Sequence, residues 1–351
     1  MKKNYILVLL LFISTWSFAQ QTYYNAVNLS LNGQALKSQL SQLVSSTHDR
    51  YLTYSQVWNA LRITDLDPSN SDNVLLVYGW ENGSDSDVTN DRSRSKNNNG
   101  GNNGQWNREH IYAQSVGNPD LGQEGPGADA HMLRACDVQR NGTRGNRKFS
   151  VGSGNSGTVG VDWYPGDEWK GDVARIIMYM YIHYGNQCLP TNIGVGSTSG
   201  TGDNMIDLFL NWNAEDPVSQ YEVNRNTYLS DINNNFGQGN RNPFIDNPYL
   251  ATKIWGGVAA QDIWGTLSTT QSFAYEFSIY PNPSNDRRIN IDSEAEIDEI
   301  QLINVNGQLM QNIQKPTRQN RTYTIENLPS GFYFVRITAE NQSITKKVIV
   351  N

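Results

Sequence analysis

Apolar residues recur at the spacing of an α-helix in three segments of the chain. The three sets are Leu36, Leu40, Leu43 and Val44; Tyr54, Val57, Trp58 and Leu61; and Val173, Ile176, Ile177 and Met180. The third set belongs to the segment 171–184, which is followed by Gly185, a residue type that commonly ends helices. The pattern predicts three helices, and the helix over 171–184 is the strongest of them.

Other parts of this region lack the helical spacing. Val74 to Tyr78 is a short apolar run, which predicts a buried strand. The tracts 91–105, 152–160 and 194–202 are rich in Asn, Gly and Ser and have no periodicity. These three tracts predict loops.

The pattern changes near Gly257. Beyond a predicted linker that ends at about residue 274, apolar residues alternate with polar ones, as in strands with one buried face. The alternation is clearest at Tyr323 and Ile325 and at Tyr333, Val335 and Ile337. Asn306-Gly307 between two apolar runs is a strong hairpin signal. The C-terminal part predicts a small all-β module, and it contains no His or Cys.

The first nineteen residues have the pattern of a secretory signal. Lys2 and Lys3 precede the apolar run 6–13, and Ser17-Phe18-Ala19 supplies small residues at the offsets that cleavage requires. A membrane anchor is the alternative, but the run is too short to span a bilayer, and no other stretch is long enough. We therefore expect a signal peptide over 1–19 and a mature protein without stable membrane insertion.

Export makes a disulfide possible between the two cysteines of the chain, Cys136 and Cys188. Two small buried thiols are the alternative, because Cys packs readily in protein interiors. Neither residue has the spacing of a metal or redox motif. The sequence leaves both alternatives open.

The net charge of −7 argues against a nucleic-acid partner, because phosphate contacts need cations. One segment of the 351-residue chain departs from this balance. Between 134 and 148 a single acidic residue, Asp137, stands among five basic ones, which are Arg134, Arg140, Arg144, Arg147 and Lys148. This segment predicts a local basic surface; a solvated basic helix face is the alternative.

The four histidines of the chain differ in their context. His183 closes an apolar helix and His48 lies near the end of another, so we expect both to be structural. His110 instead follows Arg108 and Glu109 directly after an Asn/Gly-rich tract. An isolated Glu-His pair is a weak indication of a site.

The segment 129–146 strengthens this indication, since it passes from a short apolar stretch into a polar one that carries arginines. Hydrolysis of a phosphodiester needs a base for water, a hard cation at the phosphate oxygens and positive charge for the transition state. Glu109 and Asn141 offer oxygen ligands of the kind that Mg²⁺ prefers, and His110 offers a base. Arg144 or Arg175 offers the positive charge.

An ordered series of motifs resembles the endonuclease I family of ββα-metal nucleases and covers about residues 25 to 260. The motifs are Asn107-Arg108-Glu109-His110 with Gln114-Ser115, Asp129-Ala130-His131-Met132-Leu133, Asn141-Gly142-Thr143-Arg144-Gly145-Asn146, Lys170-Gly171-Asp172-Val173-Ala174-Arg175 with Tyr179-Met180, Gly239-Asn240-Arg241-Asn242-Pro243-Phe244-Ile245-Asp246, and Ile254-Trp255-Gly256. The resemblance implies a ββα-metal core surrounded by helices. It further implies a nuclease that hydrolyses DNA, and in some members RNA, with little sequence preference.

The resemblance also implies roles for single residues. His110 corresponds to the general base, and Glu109 and Asn141 correspond to the ligands of one Mg²⁺ ion per site, with Mn²⁺ or Ca²⁺ as alternatives. Residues that would support the site or bind the substrate are Arg144, Arg175, Asn146, Arg108 and Arg241. His131 is expected to orient the site from behind.

The chain departs from the family pattern at three places, with Ala113, Met132 and Arg134-Ala135-Cys136 in place of the usual residues. None of these changes removes a group with a chemical role. A geometric difficulty concerns Glu109 and His110, because neighbours in a regular strand point to opposite faces. Both can serve one site only if the strand ends or bends there.

The C-terminal module resembles the type A sorting domain of type IX secretion cargo. The matching segments are Phe277-Ser278-Ile279-Tyr280-Pro281-Asn282-Pro283, Ile303-Asn304-Val305-Asn306-Gly307, Leu328-Pro329-Ser330-Gly331-Phe332-Tyr333 and Lys346-Lys347-Val348-Ile349-Val350. The resemblance implies a partnership with the type IX secretion machinery, passage through the periplasm, and release or surface anchoring. A carbohydrate-binding β-module is the alternative.

Together these patterns predict an α+β catalytic domain followed by a small β-sandwich. The expected boundaries are a signal peptide over 1–19, a catalytic domain over 20–257, a linker over 258–274 and a sorting domain over 275–351. The expected function is that of a secreted, metal-dependent endonuclease. One alternative is a catalytically silent nucleic-acid-binding or adhesion protein. A metallopeptidase is a weaker one, since the chain has no His-Glu-x-x-His motif.

Overall fold

The structure, a computed structural model, describes residues 22–265, 277–304, 308–339 and 342–351. The chain divides into two compact units, 1–266 and 267–351. The predicted signal peptide, residues 266–274 of the predicted linker and the Asn306-Gly307 turn lie outside the described residues.

The first unit is rich in helices and contains small antiparallel sheets. Its helices are α1 (Gly33–Ser46), α2 (Tyr54–Thr64), α3 (Val138–Arg144), α4 (Lys170–Tyr184), α5 (Pro190–Ile193), α6 (Asp207–Glu215), α7 (Gln220–Ser230), α8 (Pro243–Asp246) and α9 (Tyr249–Trp255). Its strands are β1 (Leu66–Asp67), β2 (Asn70–Leu75), β3 (Ser93–Ser95), β4 (Trp106–His110), β5 (Leu133–Asp137), β6 (Gly157–Val159) and β7 (Asp162–Tyr164). The strands pair in the orders β1-β2-β3, β4-β5 and β6-β7.

All three helices predicted from apolar spacing are present as α1, α2 and α4. The second begins with a capping box, in which Thr53 and Gln56 satisfy each other's backbone amides. The third is buried on every side from Gly171 to Ile182, and this explains why its apolar residues exceed a single stripe. It ends at Gly185, whose φ of 57° lies in the left-handed region.

Two predictions about the irregular segments are wrong in part. The apolar run from Val74 to Tyr78 is buried throughout, but strand β2 ends at Leu75 and the chain turns at Tyr78, where φ is 74°. The predicted loops 91–105 and 152–160 contain the three-residue strands β3 and β6. Backbone pairing forms these short strands, so side-chain periodicity did not reveal them.

Strands β4 and β5 and helix α3 form one continuous ββα arrangement. β4 pairs antiparallel with β5, from Trp106 opposite Asp137 to His110 opposite Leu133. Helix α3 follows β5 directly, because the side chain of Asp137 accepts hydrogen bonds from the amides of Gln139 and Arg140 at 2.8 and 2.9 Å. The arrangement carries His110 at the end of one strand and brings α3 alongside it.

The second unit is a β-sandwich. Its strands are β8 (Phe277–Tyr280), β9 (Ile289–Ser293), β10 (Glu299–Asn304), β11 (Leu309–Gln314), β12 (Thr322–Ile325), β13 (Gly331–Ala339) and β14 (Gln342–Val350). One sheet has the order β11-β10-β13-β14 and the other has the order β12-β9-β8. The predicted alternation is confirmed, since Tyr323, Ile325, Tyr333, Val335 and Ile337 are all buried in its core. The predicted hairpin is the antiparallel pair β10 and β11.

Two further findings concern export. In the described part of the chain, no helix is long and apolar enough to cross a membrane. Cys136 and Cys188 are both buried and both carry free thiols, so the structure agrees with the second of the two alternatives.

Candidate active site

A polar cavity lies where β4 ends and α3 passes beside it. Its volume is about 320 Å³, and it is lined by Glu109, His110, Ala113, Gln114, Ser115, Asn141, Arg144, Gly145 and Asn146. Five of these residues were predicted as site residues from the sequence: Glu109, His110, Asn141, Arg144 and Asn146. The ββα arrangement brings these five together.

His110 is half-buried and is held on two sides. Its Nε2 lies 3.0 Å from the carbonyl oxygen of Gly127, and its ring stacks on Tyr54 with a centroid distance of 5.5 Å. A carbonyl only accepts, so Nε2 carries the proton and Nδ1 has the free lone pair. Burial lowers the pKa of His110 to about 4, so the imidazole is neutral at physiological pH.

Glu109 is 2% exposed and has two partners at one oxygen. The hydroxyl of Tyr78 donates to Oε1 at 2.9 Å, and a guanidinium nitrogen of Arg144 lies 3.1 Å from the same oxygen. Burial nevertheless raises the pKa of Glu109 to about 7. The negative charge of this carboxylate is thus only partly compensated by its protein neighbours.

Arg144 explains how two neighbouring strand residues reach the same cavity. Its side chain is completely buried, and its two terminal nitrogens donate to the carbonyls of His110 and Ile111 at 2.8 Å each. These bonds hold the backbone at the end of β4, where regular pairing stops. Glu109 and His110 therefore both line the cavity, and the geometric difficulty noted from the sequence is removed.

Asn141 projects from α3 and has an oriented amide. Its Nδ2 donates to Oδ1 of Asn107 at 2.8 Å and lies 3.4 Å from the carbonyl oxygen of Arg108. The amide nitrogen thus faces β4, and Asn141 is one of the residues that line the cavity.

The donor set fits a hard divalent cation. Glu109 and Asn141 line the same cavity, and their side chains offer a carboxylate and an amide oxygen. Mg²⁺ takes one or two such oxygens while keeping several waters. Burial disfavours the ionised form of Glu109 and raises its pKa, and a cation beside the carboxylate would favour the ionised form.

The structure places three other arginines elsewhere. Arg108 lies against two aromatic rings, with its guanidinium carbon 3.4 Å from the ring centroid of Tyr54 and 4.3 Å from that of Trp58. Arg175 is completely buried and forms a bidentate pair with Glu222 at 2.6 and 2.9 Å.

Arg241 also lies away from the cavity. It binds both carboxylate oxygens of Asp246, at 2.7 and 2.6 Å, and donates to Ser230. His131, expected behind the site, is 4% exposed, and its Nε2 lies 3.1 Å from the carbonyl of Asn240.

The predicted basic surface over 134–148 is wrong as a continuous feature. Arg134 and Arg144 are 1% and 0% exposed, and Arg140 lies over Trp80 with 4.2 Å between its guanidinium carbon and the ring centroid. Lys148 is exposed, and Arg140 and Arg147 are half-buried. A count of charges along the segment cannot predict that Arg134 and Arg144 are buried, because their acidic partners, Asp172 and Glu109, are distant in sequence.

Four residues of the site region were not predicted as site residues from the sequence. Tyr78 and Asn107 form hydrogen bonds with Glu109 and Asn141, and Gln114 and Ser115 line the cavity. Asn107, Gln114 and Ser115 lie within the motifs that resemble the family, so these motifs could have indicated a role in the site. Tyr78 is the last residue of an apolar run, and nothing in the sequence around it indicates such a role.

Comparisons with known proteins identify relatives of both units of the chain. The family model described as Endonuclease I matches residues 32–249, and the model described as Secretion system C-terminal sorting domain matches residues 278–351. An extracellular ribonuclease of Bacillus amyloliquefaciens is 41% identical over 253 residues, which are 69% of this chain and 81% of the relative. An extracellular ribonuclease of Bacillus subtilis (strain 168) is 42% identical over 245 residues, 67% of this chain and 78% of that relative.

Proposed function

The chain belongs to the endonuclease I family, and on that premise we propose that it cleaves DNA and RNA with little sequence preference at the cavity of Glu109, His110 and Asn141. Membership of the family makes the chain a hydrolytic nuclease. The sorting domain and the extracellular relatives make it a secreted or cell-surface protein. The convergence of these three side chains on one cavity carries the proposal.

His110 is the general base in this account. The bond from Nε2 to the carbonyl of Gly127 fixes the tautomer, so Nδ1 accepts the proton from the attacking water. Stacking on Tyr54 restricts rotation of the ring. The side chain is thus held in one orientation before the substrate arrives, which lowers the entropic part of the barrier.

Glu109 and Asn141 would hold the metal ion through a carboxylate and an amide oxygen. The ion would supply positive charge to the phosphate oxygens and to the leaving group. Mg²⁺ is the proposed ion, with Mn²⁺ or Ca²⁺ as substitutes of the same hard-ligand class. Tyr78 and Arg144 hold Glu109, and Asn107 holds Asn141, so both ligands are oriented by neighbouring groups.

Substrate contacts are proposed for the neutral side chains at the cavity edge. Gln114, Ser115 and Asn146 line it and offer hydrogen-bond donors to phosphate oxygens. Such contacts position the backbone and carry no base information, which agrees with low sequence preference. The name ribonuclease of both relatives supports RNA as a substrate beside DNA.

For export, we propose that residues 1–19 are removed as a signal peptide and that the type IX machinery recognises the sorting domain over 275–351. The catalytic domain would then cover 20–257 and the linker 258–274. N-terminal sequencing of the protein recovered from the medium of its host tests the first boundary. A mature N-terminus close to residue 20 supports it, and retention of Met1 contradicts it.

The function is tested with the purified mature chain, supercoiled plasmid and structured RNA as separate substrates. We expect Mg²⁺-dependent cleavage of both, abolished by EDTA and restored by excess Mg²⁺, and a His110→Ala control that leaves both intact. Binding of both substrates without cleavage would favour the silent nucleic-acid-binding protein and contradict the proposal. Cleavage that persists in EDTA would contradict the assigned metal.

A further inference from the structure

Three side chains outside the catalytic cavity bring metal-ligating atoms together. His48 follows the end of α1, His183 lies in the last turn of α4, and Asp129 precedes β5. One ligand atom from each residue lies within 4.8 Å of the other two. Among the described residues that line the catalytic cavity, none belongs to this cluster.

The two imidazoles face each other through their inner nitrogens, with Nδ1 of His48 lying 2.7 Å from Nε2 of His183. Each outer nitrogen has an oxygen partner: the carbonyl of Arg50 lies 3.1 Å from Nε2 of His48, and Oγ of Ser45 lies 3.2 Å from Nδ1 of His183. Histidines that bind metals are usually oriented by such a bond from the outer ring nitrogen.

Nε2 of His48 faces one acceptor, the carbonyl of Arg50, and one donor, Nε2 of Gln238 at 3.2 Å, so either neutral tautomer of the ring has a partner there. With the proton on Nε2, the ring donates to Arg50 and directs the lone pair of Nδ1 inward. The hydroxyl of Ser45 can accept as well as donate, so Nδ1 of His183 can carry the proton of that ring, which leaves a lone pair on the inner nitrogen Nε2. Two lone pairs that face each other across 2.7 Å repel, unless a metal cation lies between the nitrogens or Nε2 of His183 is protonated instead.

Asp129 supplies the negative charge of the cluster. It is 1% exposed, and its Oδ1 accepts from the backbone amide of His131 at 2.9 Å and from Nε2 of Gln238 at 3.0 Å. The hydroxyls of Tyr179 and Tyr184 donate to Oδ2 at 2.7 and 2.8 Å. The carboxylate is therefore ionised and held in place, and a dication would bring the charge of the cluster to +1.

We propose that His48, Asp129 and His183 form a second metal site, which takes a transition-metal ion of the Zn²⁺ type. Two imidazoles and a carboxylate form a ligand set of Zn²⁺ chemistry, whereas Mg²⁺ prefers oxygen ligands alone. The site ties the ends of α1 and α4 to the segment that follows Gly127. The proposal does not rest on the proposed function, because its ligands lie outside the catalytic cavity.

The geometry requires a small adjustment on binding. Zn–N bonds are about 2.0–2.1 Å, so two nitrogens on a tetrahedral ion lie about 3.3 Å apart, and the rings would separate by about 0.6 Å. His183 is half-buried and Tyr51, which stacks on His48, is 58% exposed, so solvent reaches this edge of the cluster. A water molecule would complete the coordination.

Metal binding is measured on the mature chain after removal of metals, by equilibrium dialysis against Zn²⁺ and by the visible absorption of Co²⁺ as a spectroscopic probe. We expect one tightly bound ion with a low-symmetry Co²⁺ spectrum, and a rise in melting temperature with Zn²⁺. His48→Gln and His183→Gln should each weaken this binding at least about a hundredfold. In Mg²⁺, both variants should retain nuclease activity.

Two control variants separate this site from its surroundings. His110→Ala removes the catalytic imidazole, and His131→Gln removes a buried imidazole beside Asp129; both should keep the ion. Absence of stoichiometric binding by the wild-type chain overturns the proposal and means that the two histidines share only a proton. Binding that survives both cluster variants, or that is lost in His110→Ala, also overturns it.

Discussion

The hydroxyl of Tyr78 donates a hydrogen bond to Oε1 of Glu109 at 2.9 Å, and the two side chains are 0% and 2% exposed. The chain reaches this position by a turn at Tyr78, where φ is 74°, and Oγ of Ser156 donates to the carbonyl of that residue at 2.6 Å. A bulky residue in the left-handed region costs free energy of about 1–3 kcal/mol. The surroundings hold Tyr78 there, and its hydroxyl orients the proposed metal ligand.

Removing this hydroxyl is expected to weaken metal binding more than folding. Tyr78→Phe should raise the Mg²⁺ concentration for half-maximal cleavage about tenfold, because the partner of a metal ligand is lost. Tyr24→Phe is the matched control, since Tyr24 is equally buried and donates to Asp246 at 2.6 Å. A metal titration of both variants checks the prediction, and equal metal requirements for the two would contradict it.

Asn141 is expected to bind the metal through its amide oxygen. Asn141→Ala should leave the protein folded but require far more Mg²⁺, whereas Asn141→Asp should keep most of the metal affinity because it retains an oxygen at that position. Gln139→Ala, on the exposed face of the same helix α3, is the control and should behave as the wild type. Full activity of Asn141→Ala at low Mg²⁺ would exclude this ligand.

Arg144 is expected to position the site without binding the substrate. Lysine has a single terminal nitrogen in place of the two with which Arg144 binds the carbonyls of His110 and Ile111, so it cannot reproduce both bonds in the same geometry. Arg144→Lys should therefore lower kcat at least about tenfold and leave KM nearly unchanged. Arg147→Lys should change neither constant. A rise in KM with an unchanged kcat in Arg144→Lys would indicate direct phosphate binding instead.

Helices and strands could be predicted from the sequence where a local pattern of apolar residues determines them. Apolar spacing identified α1, α2 and α4, and the alternation at Tyr323 and Tyr333 identified the sandwich. The backbone geometry after His110 could not be predicted, because it depends on Arg144, 34 residues away along the chain. The same holds for the turn at Tyr78, which long-range contacts stabilise.

Residue types alone could not separate the arginine that lines the cavity from arginines that lie away from it. Arg175 and Arg144 both belong to motifs that carried the resemblance, and both are completely buried. Their partners distinguish them: Arg175 binds Glu222, while Arg144 binds the backbone beside the cavity. Those partners are brought in by tertiary packing, which no local pattern encodes.

Arg175 is therefore expected to contribute to stability. Arg175→Met leaves Glu222 buried without its partner and should lower the free energy of unfolding by about 3–5 kcal/mol. Adding Glu222→Leu should recover part of that loss, because the unpaired charge is removed. Denaturant melts and the activity per folded molecule check this together. A loss of kcat in a fully folded Arg175→Met would show that the residue acts in the reaction.

The His110→Gly variant distinguishes a general base from a metal ligand when its metal binding and nuclease activity are measured with and without added imidazole. If the ring is the general base, the rate should fall about a hundred- to ten-thousand-fold while the affinity for Mg²⁺ is retained, since the proposed ligands are Glu109 and Asn141. Imidazole in solution should restore part of the rate by occupying the space that the side chain leaves. Loss of metal binding with no effect of imidazole would make His110 a metal ligand and contradict the mechanism.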